Sequence, residues 1–107
     1  MAFQLGSTLL DACVLSALSG GETYGYLLTQ RIKSVMEISE STLYPVLRRL
    51  QKENLLATYD QPYAGRLRRY YAITPEGRAV LARYREEWQD YCTRINSLLL
   101  GEEQVTT

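Results

Sequence analysis

The chain has 107 residues, 46% apolar and 22% charged, a composition that suits one globular domain and is short for two. Twelve basic groups balance twelve acidic ones and there is no histidine, so the commonest general base and metal ligand is missing. No nucleophile motif, phosphate loop, membrane-length apolar run or basic export signal appears, and two cysteines make no disulfide framework; the expectation is a reduced cytoplasmic protein without membrane contact, catalytic activity, metal or cofactor.

Leu5, Leu9, Ala12, Cys13, Val14, Ala17 and Leu18 recur at helical spacing, and Ser19-Gly20-Gly21 ends that first helix. Thr23 can cap a short second helix through Lys33, with Tyr26, Leu27 and Ile32 on it. A third helix starts near Ser39 or Ser41. Its inward stripe is Leu43, Val46, Leu47 and Leu50, spaced i, i+3, i+4, i+7. With Ser41 as the cap, Pro45 would remove only the first intrahelical bond. Asn54 then stands where the chain must turn out of the helix in a left-handed conformation.

Two strand-like runs follow, Leu55 to Tyr59 and Arg69 to Ile73, rich in tyrosine, threonine and isoleucine. Residues 60–68 between them read as a hairpin loop longer than a tight turn needs. Thr74-Pro75-Glu76 opens a last helix: a cap, a proline at the first position and an acid in the first turn. It can run to about Leu100, with Gly101 ending it. Leu81, Tyr84, Trp88, Tyr91, Ile95 and Leu98 lie along it at alternating steps of three and four, a heptad seam. Twenty-six helical residues span about 39 Å, against a radius of gyration of about 13 Å for a domain of this size. The helix should therefore project, and a second copy of the chain is the simplest cover for its seam; packing on the first helix of the same chain is the alternative, and a dimer can do both.

The expected fold is mainly α with a two-stranded β wing: a winged helix-turn-helix over residues 1–74, a dimerisation helix over 75–101 and a tail over 102–107. Such a fold puts its third helix in the major groove of DNA and its wing on the backbone or minor groove. The charge distribution agrees. Residues 41–78 hold Arg48, Arg49, Lys52, Arg66, Arg68, Arg69 and Arg78 against Glu53, Asp60 and Glu76, a local excess of +4 in a neutral chain. Outside the apolar stripe, the third helix exposes Ser41, Thr42, Tyr44, Pro45, Arg48, Arg49 and Lys52, though one of two adjacent arginines must point sideways. Hydroxyls near a helix start suit phosphate, while Tyr44 and Arg48, one turn apart, can reach base edges. In the wing, Gly65 allows close backbone approach beside Arg66 and Arg68; Arg69 reads as structural, Tyr71 and Ile73 as core, and Tyr70 as the surface tyrosine. The rival reading is a winged helix that binds another protein instead of DNA, which has no need of arginines on both third helix and wing.

TYGYLLTQRIK (23–33), STLYPVLRRLQKENLL (41–56) and GRLRRYYAITPEGR (65–78) together resemble the PadR family of bacterial transcriptional regulators, and with the final helix the resemblance covers nearly the whole chain. It departs in Asn54, where glycine is commoner, and in Leu67, where a wing more often carries proline or a polar residue. The resemblance implies a homodimeric repressor of its own or neighbouring genes, whose first and last helices exchange contacts across the dimer. It assigns DNA contact to Ser41, Thr42, Tyr44, Pro45 and Arg48, and wing contact to Gly65, Arg66 and Arg68. The expected operator is an imperfect inverted repeat, with half-sites about 34 Å apart. In the multidrug-sensing branch a tryptophan placed like Trp88 stacks flat aromatic ligands at the dimer interface. Trp88, with Tyr84, Cys92 and Ala12, is thus either a ligand platform or plain dimer core.

Overall fold

In the computed structural model, which describes residues 6–101, leucine supplies most of the core. Leu5 and the 102–107 tail lie outside the described residues. Helix α1 (Ser7–Ala17) buries Leu10, Val14 and Leu15; α2 (Gly25–Lys33) adds Leu28 and Ile32; α3 (Glu40–Lys52) adds Leu43, Leu47 and Leu50. Strands β2 (Leu56–Tyr63) and β3 (Arg66–Ile73) contribute Leu56 and Tyr71, and the long α4 (Pro75–Leu99) contributes Leu81. Each such side chain removed from water is worth about 1.5–3 kcal/mol, and together they fix how the three short helices sit against the sheet.

The wing hairpin is present, and a short strand β1 (Thr23–Tyr24) joins it on the far side, giving an antiparallel sheet in the order β1-β3-β2. Thr23 is therefore a strand residue paired with Tyr71, and Tyr24 takes the cap position of α2 without a side-chain bond. The expected loop over 60–68 is mostly ladder: Asp60 pairs with Arg69, Gln61 with Arg68, Pro62 with Leu67 and Tyr63 with Arg66. Only Ala64 and Gly65 remain as the turn, with φ of 52° and 80°. Positive φ at both central residues is the type I′ geometry, whose twist matches that of the strands. Pro62 is tolerated because β2 is an edge strand.

Two junctions set α4 against the rest. Asn54 takes the left-handed conformation with φ 65°, and the Leu55 amide reaches back to the Leu50 carbonyl at 2.9 Å while Asn54 N–H reaches Gln51 O at 3.0 Å. That is a Schellman closure of α3. Thr74 then caps α4: its hydroxyl accepts from the Gly77 amide at 2.9 Å and donates to the Asn54 carbonyl at 2.7 Å. Gly77 is buried in this corner, and a Cβ there would collide with the Leu55 carbonyl oxygen. The helix leaves the domain from this fixed start, and the molecule measures 60 × 27 × 21 Å.

Three arginines close the C-terminal end of α1. Arg31 donates to the Ala17 carbonyl at 2.9 Å, Arg78 to the Ser19 carbonyl at 3.1 Å and Arg85 to the Ser16 hydroxyl at 3.2 Å. Cations suit the negative end of a helix, and these come from α2 and α4. No described helix is long and apolar enough to cross a membrane.

Candidate nucleic-acid interface

Helix α3 starts at Ser39, whose hydroxyl accepts from the Thr42 amide at 3.3 Å and lies 2.9 Å from the Ser41 hydroxyl and 3.1 Å from that of Thr42. Ser41 is thus inside the helix, and Pro45 sits in its interior, where it removes the bond to the Ser41 carbonyl. With Leu43, Leu47 and Leu50 inward, Ser41, Tyr44, Pro45, Arg48 and Lys52 recur at i, i+3, i+4, i+7 and i+11 and share one exposed stripe. Thr42 lies to its side, in the Ser39 cap.

Arg49 leaves that stripe. Its Nη2 is 2.6 Å from Oδ1 of Asp11, and its Nη1 is 3.5 Å from Glu53. Its guanidinium is therefore engaged as a link between α3 and α1, making Arg49 the sideways-pointing member of the adjacent pair, with 40% of its side chain exposed. Asp11 is only 6% exposed. Burial pushes its carboxyl above the ordinary carboxylate range, and the hydrogen bond and charge of Arg49 offset only part of that.

Of the seven basic groups that made residues 41–78 positive, three are engaged within the fold. Arg49 pairs with Asp11, Arg69 with Asp60 at 3.3 Å, and Arg78 holds the Ser19 carbonyl. Among the described residues, Arg48, Lys52, Arg66 and Arg68 form no ion pair with a carboxylate. Two stand on the α3 stripe and two on the wing. Arg68 is held by rings instead: its guanidinium carbon lies 3.8 Å from the ring centre of Tyr24 and 3.5 Å from that of Tyr63. Tyr70 is not the free surface tyrosine expected. It stacks on Tyr59 at 5.4 Å and meets Tyr24 edge-on at 5.9 Å, forming a row across all three strands. Leu67 is exposed on β3 opposite Pro62, and Gly65 supplies the turn.

A second feature lies between α1 and α4. Ala12, Cys13, Leu81, Tyr84 and Trp88 are among the residues lining a groove of about 430 Å³. Three of the four residues expected around a ligand, Ala12, Tyr84 and Trp88, come together here. Cys92 does not line the groove; Cys13, from α1, does. Both cysteines are free and half-buried rather than fully buried, and burial pushes the Cys13 thiol up, keeping it protonated. Along the seam Leu81 is buried, Tyr84 packs on the core, Tyr91 and Ile95 are half-buried, and Trp88 and Leu98 are 39% and 77% exposed.

Residues 14–83 match the family described as the transcriptional regulator PadR-like family. The chain belongs to this family. It is 34% identical over 83 residues to the transcriptional regulator Rv3488 of Mycobacterium tuberculosis, covering 77% of this chain and 78% of that protein. Among solved structures, smu.1704 from Streptococcus mutans UA159 superposes with a TM-score of 0.84 at 35% identity, over 99% of this chain and 100% of that one. The PadR-like transcriptional regulator BC4206 of Bacillus cereus superposes with a TM-score of 0.79 at 35% identity, over 88% and 94%. PadR-like proteins are transcriptional regulators, not enzymes, in keeping with the residue inventory.

Sequence reasoning about this PadR-like protein left the start of α3 open between Ser39 and Ser41, and missed Asp11 as the partner of Arg49 and Tyr24 and Tyr63 as the partners of Arg68. The structure selects Ser39, whose hydroxyl accepts from the Thr42 amide. The Asp11 signal was weak: an acid inside an apolar helical face needs a buried partner, but nothing local names it.

Proposed function

We propose that this PadR-like regulator acts as a cytoplasmic homodimer that binds duplex DNA at an imperfect inverted repeat and represses its own or neighbouring genes. The observation that carries this reading is the distribution of uncompensated charge: Arg48 and Lys52 on the α3 stripe, Arg66 and Arg68 on the wing. Residues 1–74 are the DNA-binding unit and 75–101 the dimerisation helix. Ser41, Tyr44, Pro45 and Arg48 enter the major groove, Thr42 and Lys52 flank it, and Gly65, Arg66 and Arg68 meet the backbone. Dimerisation is supported by the outer half of α4, where Leu98 and Leu99 are 77% and 74% exposed at the end of an apolar seam. The second copy would also close the α1–α4 groove. A flat aromatic molecule between the Trp88 rings is the ligand that such a closed groove would take, and its binding would release DNA.

Fluorescence anisotropy on a labelled fragment from upstream of the gene, beside a scrambled fragment and at two salt concentrations, tests the reading. A dimer making about six to ten phosphate contacts should lose about 10³–10⁵ in affinity between roughly 50 and 200 mM salt, while preferring the native fragment. Absence of binding at low salt would leave these four cations, which have no carboxylate partner among the described residues, without DNA to contact and would reject it.

A further inference from the structure

The side chain of Arg68 has an environment that the DNA-binding reading does not require. Tyr24 comes from β1, Tyr63 from the end of β2, and Arg68 from β3 between them, so one guanidinium clasps all three strands. Ring centres at 3.8 and 3.5 Å cover it by cation–π contact. With its faces covered, the part of the group left for an anion is the in-plane N–H edge not turned toward the Tyr70 and Tyr63 hydroxyls, and such an edge is the geometry that meets phosphate oxygens. Beside it opens a cleft of about 410 Å³ between the wing tip and the start of α2, walled by Tyr24, Tyr26, Tyr63, Leu67, Arg66 and Arg68. No carboxylate lines it. Two positive charges, that of Arg68 held between rings, with no carboxylate among the described residues on the walls make a seat for an anion, and a wing tip is where a duplex backbone passes.

We propose that this cleft seats one backbone phosphate of duplex DNA, with Arg66 and Arg68 as its donors and Tyr24 and Tyr63 as positioning residues that hold the Arg68 guanidinium in place. The proposal rests on the DNA-binding reading and adds two residues, neither of them basic, that set how well the wing grips. Stacking restricts Arg68 before DNA arrives, so less side-chain freedom is lost on binding.

The test is a double-mutant cycle on the full chain, using a random-sequence duplex at low salt, where phosphate contacts dominate. Tyr63→Leu should weaken binding about threefold to tenfold, and Tyr63→Phe should stay within about twofold of wild type because the ring is what stacks. In an Arg68→Ala background Tyr63→Leu should have no further effect. Arg68→Lys should bind more weakly than wild type despite its equal charge. Since Tyr63 is 56% exposed at the wing tip, thermal melting should be unchanged in the two Tyr63 single variants. Equal losses from Tyr63→Leu with and without Arg68, failure of Tyr63→Phe to bind normally, or full affinity in Arg68→Lys would each overturn the positioning role while DNA binding itself stands. Loss of salt-steep binding in the wild type would reject the parent reading as well. Replacing chloride by inorganic phosphate at equal ionic strength separates the sources of the anion: competition that disappears in Arg68→Ala would make the cleft a free-phosphate site instead.

Discussion

The guanidinium of Arg49 is hydrogen-bonded to the carboxylate of Asp11 at 2.6 Å, joining α3 to α1 across 38 residues of sequence. Its neighbour Arg48 projects from the other side of the same turn with no ion pair among the described residues. Two adjacent arginines therefore have separable roles. Arg49→Ala should lower stability by about 1–3 kcal/mol, since it leaves a buried carboxylate without its charged donor, the figure being reduced by the partial exposure of Arg49. Arg48→Ala should change stability by no more than about 0.5 kcal/mol and cost about 1–3 kcal/mol of binding on a specific site. Urea unfolding and anisotropy on the same pair of variants decide it; an equal loss on random DNA would make Arg48 a phosphate contact.

Asp11 also makes a pH prediction. Its folded pKa lies above its unfolded one because burial outweighs Arg49, so the native state holds the proton more tightly. The stability this contributes is fully present below the unfolded carboxylate value and is lost as pH rises through the folded one. Asp11→Asn carries no such titration. Relative to the variant, the wild type should therefore lose stability as pH climbs through and above the ordinary carboxylate range, then run parallel to it. Unfolding curves at a series of pH values check the sign, and a wild type that gains on the variant would show that the Arg49 pair dominates.

The wing turn is sterically unfavourable at one position. Ala64 occupies the left-handed region with φ 52°, where a Cβ costs about 1–2 kcal/mol. Ala64→Asn would give the Asn-Gly pair that type I′ turns prefer, and should raise stability by about 0.5–1 kcal/mol without altering the Tyr63–Arg66 register. Gly65→Ala should act in the opposite direction. Thermal melting of the two variants is sufficient, and a neutral result for both would show that the wing unfolds separately from the domain.

Trp88 borders the α1–α4 groove and is 39% exposed in the single chain. Trp88→Ala should shift the protein toward monomer in sedimentation velocity and reduce its binding of a flat fluorescent dye. An unchanged oligomer with unchanged dye binding would remove Trp88 from both roles.

Several elements followed from short stretches read alone. The inward leucines of α3, the left-handed Asn54, the Thr74-Pro75-Glu76 start of α4 and the periodic seam behind Trp88 all depend on neighbours within about one helical turn. Other features could not be obtained that way. Strand β1 has two residues and no pattern of its own; it exists because β3 presents an open edge to Thr23 and Tyr24. Residues 60–63 and 66–68 look like loop because they hold a proline and charged residues with no strand pattern, yet each is paired across the hairpin, and pairing needs no hydrophobic alternation on an exposed wing.

Sequence alone therefore determined a winged helix with a projecting last helix and a basic middle, because periodicity, capping and charge are properties of the chain itself. Tertiary structure decided how the arginines are used. Arg49 is drawn to Asp11, Arg69 to Asp60 and Arg68 between two tyrosines, while Arg48, Lys52 and Arg66 form no ion pair among the described residues. A charge is available to a partner only where the fold brings no counter-charge beside it, and that depends on residues far apart in sequence.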